Sequence, residues 1–239
     1  MDAKTGKNRR KPRYDSKYIV HDGRKFVYFV IQKVACSSVK TALLPLFDLD
    51  ARRFEKTWRD GSRSVAVHTA FDASGLQVDR QAMLAGDYRE HFKFAFVRNP
   101  YDRLVSCYVQ KFARTNAPGL KASANTDTEL YAGMPFAEFV EAVHATPDEK
   151  ANAHFRSQHT VVCGPGGEPM ADFVGRFENL QEDFGTVAKK IGAPELELPH
   201  RLKSRHRESR PYTDFYDERL KGLAHKRYEK DIETFGYSF

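Results

Sequence analysis

The sequence is short of everything that would carry a chain through a membrane or hold it together outside a cell. Its longest unbroken apolar run, Phe26–Ile31, is six residues, against the roughly 20 that a spanning helix needs. The opening MDAKTGKNRRKPRYD is basic but has no apolar stretch behind it, so it is not a secretory signal. Three cysteines (Cys36, Cys107 and Cys163) cannot all pair within 239 residues, which excludes a disulfide framework. These absences predict a reduced, soluble, cytoplasmic protein, with the inner face of the membrane as its other possible setting. Internal repeats and low-complexity blocks are absent, and no pattern marks an oligomeric state. Acid is scarcer than base, 32 Asp and Glu against 39 Lys and Arg, but of the resulting +7 a net +6 falls within residues 1–25. Residues 1–20 therefore read as a solvated, flexible basic tail, with a peripheral contact to an anionic membrane as its functional alternative. The near-neutral remainder argues against a specific nucleic-acid partner.

That remainder is ordinary globular sequence. At roughly 100–200 residues per domain, residues 21–239 read as one domain. Lys25–Ile31 (KFVYFVI) reads as a buried strand, followed by a helix through VKTALLPLF that Pro45 limits. Ser64–His68 alternates like a strand, and Phe92–Val97 (FKFAFV) is a third. A helix follows with Asn99 as its cap and Pro100 at its first position, burying Tyr101, Leu104, Val105 and Tyr108 at i, i+3, i+4 and i+7. Residues 114–133 form a long polar loop, suited to choosing a substrate. Helices are expected again at Pro135–His144, Glu178–Ile191 and Asp217–Glu233. Short strands alternating with helices predict an α/β fold around a parallel sheet.

Two strand ends carry anion-binding chemistry. After the first strand, Lys33 precedes Val-Ala-Cys-Ser-Ser at a helix start, where backbone N–H groups, the helix dipole, Ser37, Ser38 and Lys40 all favour a phosphate. The turn has no glycine and its lysine comes first, so it is not a Walker A loop. After FKFAFV, Arg98 leaves the strand and Ser106 follows two helical turns later; a guanidinium and a hydroxyl can share one phosphate. Their plain structural alternatives are an ion pair of Arg98 with Asp102 or Glu90, and a small helix-contact residue at 106.

Taken together, KVACSSVK and FAFVRNPYDRLVSCY resemble the two nucleotide-binding motifs of the sulfotransferases that use 3′-phosphoadenosine 5′-phosphosulfate. The closest likeness is to the branch containing the Golgi carbohydrate sulfotransferases and their soluble bacterial relatives. VGRFENLQEDF, the LPH at 198–200 and the ending YEKDIETFGYSF continue the resemblance, so that it runs from about residue 25 to 239. Gln32 stands where the family commonly has Pro, and Val39 where the Golgi enzymes often carry Trp. The resemblance implies a P-loop-kinase-like three-layer sandwich, with a central parallel sheet flanked by helices. It implies that Lys33, Ala35, Cys36, Ser37 and Ser38 hold the 5′-phosphosulfate, and that Arg98 and Ser106 hold the 3′-phosphate. A loop carrying Lys203, Ser204 and Arg205 would close over the nucleotide. The acceptor would be a hydroxyl on a glycan or glycolipid.

Such a transfer asks for positioning, charge stabilisation of the leaving phosphate, for which Lys33 is suited, and a base. His68 is the expected base, because an imidazole titrating near ~6.5 accepts a proton near neutral pH. Asp87, Glu90 and His91 are the fallbacks. Arg156 and Gln158 are expected to face the acceptor. His154, His159 and Cys163 have no zinc-site spacing, and no metal is expected. A kinase on a similar scaffold and a non-catalytic anion- or nucleic-acid-binding module are the rival readings.

Overall fold

The computed structural model describes residues 17–57, 63–113, 130–199 and 210–239. Its strands are β1 (Tyr18–His21), β2 (Phe26–Phe29), β3 (Glu55–Thr57), β4 (Arg63–Val65), β5 (Gln77–Val78), β6 (Phe92–Val97) and β7 (Phe173–Arg176). The helices are α1 (Cys36–Leu43), α2 (Val67–Ala73), α3 (Arg80–Ala85), α4 (Pro100–Lys111), α5 (Phe136–Ala145), α6 (His159–Val162), α7 (Leu180–Lys190) and α8 (Glu218–Phe235). The main sheet runs β5-β1-β2-β6-β7, while β3 and β4 form a separate two-stranded ribbon.

The α/β architecture holds, with one strand reversed. β2, β6 and β7 pair in parallel, and β1 runs antiparallel to both β2 and β5. Parallel strands covered on both faces need near-continuous apolar sequence. Accordingly all of β2 and the last four residues of β6 are buried. β1 corrects the expected tail: Tyr18–Val20 are buried in the sheet. Its four residues end on His21 after a run of charge, too short a signal for periodicity to resolve.

Pro45 ends α1 as expected, turning Leu44–Leu46 into a 3₁₀ turn. In α4 the Asn99 side chain accepts from the Tyr101 N–H and Pro100 occupies the first turn. Tyr101, Leu104, Phe139, Val140, Val143, Leu220 and Tyr228 gather α4, α5 and α8 into a second apolar cluster beside the sheet core. Leu130 and Met134 belong to that cluster, so the end of the expected 114–133 loop is packed; residues 114–129 lie outside the described residues.

The parallel pairing of β2 with β6 places their C-terminal ends side by side. Both anion-suited turns therefore open on one edge of the sheet, where α/β proteins bind ligands.

Gly175 makes that sheet sensitive to one methyl group. It pairs with Phe96, and a Cβ there would lie 2.6 Å from the buried Phe96 ring. Gly175→Ala is expected to cost about 1–3 kcal/mol through the forced ring shift. An unchanged denaturant midpoint would contradict this packing.

Candidate functional site

The turn between β2 and α1 is held in an uncommon conformation. Lys33 and Ala35 have φ of 70° and 61°, left-handed values that non-glycine residues adopt at a cost. Such a turn opens α1 with the N–H groups of Cys36 and Ser37, which have no backbone acceptor among the described residues, whereas those of Ser38 and Val39 already bond to the Ala35 carbonyl. α1 has no acid in its first turn to compete for the Cys36 and Ser37 groups. The Cys36 thiol faces inward, donating to Gln32 Oε1 at 3.3 Å, and Ser38 is buried, whereas Ser37 is exposed. Of the loop side chains, Ser37 is thus the one presented outward.

Arg98 is 3% exposed and binds across the turn. Its Nε donates to Asp102 Oδ2 at 2.8 Å, its Nη1 donates to the Lys33 carbonyl at 3.0 Å, and its plane lies 4.0 Å from the Phe177 ring centre. Nη2 is buried with no partner among the described residues. The ion pair with Asp102 is present, yet it uses one edge of the guanidinium and leaves this donor unspent. Burial lowers the Arg98 pKa to about 10, still far above neutrality. A buried unpaired donor costs ~1–3 kcal/mol, which an anion placed there would recover.

Asp102, Ser106 and Gln110 recur every four residues along one face of α4. Asp102 holds Arg98, and Gln110 Oε1 accepts from Lys33 Nζ at 2.5 Å. Ser106, partly exposed, stands between them. The face thus arrays a guanidinium, a hydroxyl and an ammonium along one line. Gln110 went unnoticed in the sequence, although its i+4 spacing from Ser106 was visible.

His68 lies in the first turn of α2, not at a strand end. The alternation through 64–68 gives way because Val67, Ala70 and Phe71 bury one helical face. Its Nε2 is 2.8 Å from Ser37 Oγ, and its Nδ1 is 3.3 Å from Lys40 Nζ. Lys40 is 1% exposed and lies against Phe71, and burial lowers its pKa. While Lys40 keeps its proton it offers only donors, so Nδ1 must accept and Nε2 carries the hydrogen to Ser37. Burial, and after it Lys40, pull the His68 pKa to about 4, so the ring is neutral at pH 7.

Gln158 and Arg156 do not face the open edge. Gln158 is fully buried: its Oε1 accepts from the Arg98 N–H, its Nε2 donates to the Arg98 carbonyl and to Asp231. It is a brace for Arg98. The Arg156 guanidinium points inward to the Ala151 carbonyl. Asp87, Glu90 and His91 precede β6, and that strand's six residues put roughly 20 Å between them and Arg98. Lys203, Ser204 and Arg205 lie outside the described residues. Among the described residues no three His, Cys, Asp or Glu side chains gather as metal ligands would. His159 is tied instead to Asp231 at 2.8 Å.

A strand–turn–helix cradle beside a buried arginine with one unspent donor, at the C-terminal edge of an α/β sheet, has the chemistry to hold an anion. The sulfotransferase family model matches residues 16–238, and the chain belongs to that family. Relatives include carbohydrate sulfotransferase 14 of Danio rerio, 28% identical over 236 residues that cover 92% of this chain and 61% of the relative. Carbohydrate sulfotransferase 8 of Mus musculus is 29% identical over 251 residues, covering 95% of this chain and 58% of the relative. Carbohydrate sulfotransferase 9 of Homo sapiens is 28% identical over 239 residues, covering 91% and 48% respectively. The chain thus spans about half to three-fifths of the length of these relatives. No solved structure matches it.

Burial lowers Lys33 to about 8. A bound phosphate favours the ammonium, so anion binding must take up protons near pH 8 and weaken as pH rises through that value. Calorimetry of 3′-phosphoadenosine 5′-phosphate in buffers of different ionisation heat should show this uptake at pH 8 and little at pH 6.5. Equal heats in all buffers at pH 8 would contradict the Lys33 assignment.

Proposed function

We propose that this protein moves a sulfo group from 3′-phosphoadenosine 5′-phosphosulfate to a hydroxyl on a carbohydrate, a glycan or the sugar of a glycolipid. The observation that carries the reading is the buried Nη2 of Arg98, without a partner among the described residues, on a guanidinium whose Nη1 is bound to the Lys33 carbonyl of the α1 turn. An acceptor-rich anion completes it, and a 3′-phosphate has the oxygens to engage Arg98 and Ser106 together. Lys33, with the backbone and hydroxyls of Ala35–Ser38, then serves the 5′-phosphosulfate. Lys203, Ser204 and Arg205 are proposed to close over the nucleotide. The printed names of the relatives support a carbohydrate acceptor.

The chemistry follows from these positions. When the donor is bound, its phosphate accepts negative charge as the S–O bond breaks. Lys33 neutralises that charge, moving from Gln110 to the leaving oxygen. The left-handed turn has already met its conformational cost on folding, so its backbone N–H donors need no rearrangement, and only the Lys33 side chain moves. The acceptor's proton needs a base, and His68, neutral at pH 7, is the histidine to which the sequence points. No step in this scheme calls for a metal.

For the setting we propose a soluble enzyme of the bacterial type working in the cytoplasm, with the basic tail as a peripheral membrane contact. All three cysteines are unpaired and buried, as suits a reducing compartment. No described helix is long and apolar enough to cross a membrane. Fractionation of the native source tests this directly: recovery with secreted proteins would contradict it.

Binding of 3′-phosphoadenosine 5′-phosphate, compared with ADP and magnesium-ATP, tests the donor site. Wild type should prefer the 3′-phosphorylated nucleotide, and Arg98→Ala should lose that preference, with affinity falling at least about tenfold for one charged hydrogen bond. Indifference of the wild type to the 3′-phosphate, or tighter binding of magnesium-ATP, would favour the kinase reading.

A further inference from the structure

The site holds a second imidazole, His154, in the opposite protonation pattern to His68. Asn152 Oδ1 accepts the backbone N–H of His154 at 3.0 Å, which identifies that atom as the amide oxygen. The same oxygen lies 2.6 Å from His154 Nδ1. Two acceptors cannot share that contact, so Nδ1 carries the hydrogen and Nε2 keeps its lone pair. Nε2 has no hydrogen-bond partner among the described residues, and the side chain is partly exposed.

Its place beside the donor cradle is fixed by Arg103. That fully buried guanidinium donates from Nε to the Gln32 carbonyl at 2.9 Å, from Nη2 to the Ala153 carbonyl at 3.2 Å and from Nη1 to the Arg156 carbonyl at 2.8 Å. One side chain thus clamps the 153–156 segment to the residue before Lys33. The charged and titratable groups whose fields reach His154 are Lys111 and Arg103 from α4, Lys33 from the turn and His68 from α2.

We propose that His154 takes the acceptor's proton, with Asn152 orienting it, and that His68 positions Ser37. The inference rests on the transferase reading above. In the step, the acceptor oxygen forms the new S–O bond while the donor's S–O bond to its 5′-phosphate breaks. The hydroxyl proton passes to His154 Nε2, giving an imidazolium whose Nδ1–H stays on Asn152. Lys33 meets the departing phosphate.

The electrostatics agree with that timing. Burial first, then Lys111, Lys33 and Arg103, hold His154 near pKa 4 in the free protein. The donor's negative charges offset the same cations, so its arrival raises the basicity of the ring when a base is needed. His68 lacks this readiness, because Lys40 occupies its Nδ1 lone pair.

Imidazole ¹⁵N–¹H correlation on the wild-type protein reads both tautomers without any variant. His154 should show Nδ1 protonated and Nε2 bare, His68 the reverse, and 3′-phosphoadenosine 5′-phosphate should raise the His154 titration midpoint. Donor hydrolysis, with water as the acceptor, supplies the kinetic arm. His154→Asn should slow it at least about 100-fold with nucleotide affinity unchanged; Asn152→Ala should slow it less and Asn152→Asp restore it. His154 found protonated at Nε2, or His154→Asn hydrolysing at the wild-type rate while His68→Asn fails, would overturn the assignment. Failure of the wild type to bind the nucleotide would instead sink the transferase reading, leaving the tautomers to be judged on their own.

Discussion

The site depends on one guanidinium. Arg98 leaves the end of β6, pairs with Asp102 at the start of α4 and donates to the carbonyl of Lys33 in the neighbouring β2–α1 turn. Through these two bonds it joins strand, helix and cradle. Gln158 grips its backbone on both sides, and Phe177 covers its face. Burying such a charge is costly unless every donor is used. One donor, Nη2, has no partner among the described residues, and an anion placed there would satisfy it.

Around Arg98 the protein concentrates positive charge in poor solvent. Lys33 and Lys40 are both desolvated, and each falls in pKa. The two histidines nearby stay neutral for the same reasons. The consequence runs through stability as well as chemistry. Both rings have folded pKa values near 4, below the unfolded value of ~6.5, so the unfolded chain binds more protons between those limits. Stability contributed by the neutral rings is present above pH ~6.5 and is lost as pH falls toward 4.

How much of this was legible in the sequence follows from how local each signal is. The β2 and β6 runs, the Asn99-Pro100 helix start and the Pro45 stop are set by a few adjacent residues, and they appear where the pattern puts them. Lys33 and Arg98 were visible as residues at strand ends. Their juxtaposition is implied by the family resemblance alone, because local pattern does not carry the parallel pairing of β2 with β6 across some sixty residues. β1 was lost beneath the charge of the tail. The alternation through His68 reads as a strand, but it is shorter than the helical face that overrides it. Gln158 and Arg156 looked like surface groups by type; only the fold shows that one braces Arg98 and the other caps a carbonyl. His154 has no metal-site spacing in the sequence, and its tautomer is decided by partners that sequence does not reveal.

A structure of the protein with 3′-phosphoadenosine 5′-phosphate tests the central claim most directly. The account predicts the 3′-phosphate within hydrogen-bond distance of Arg98 Nη2 and Ser106 Oγ, and the 5′-phosphate against Lys33 and the N–H groups opening α1. A nucleotide bound with its 3′-phosphate away from Arg98, leaving Nη2 still unpaired, would contradict it.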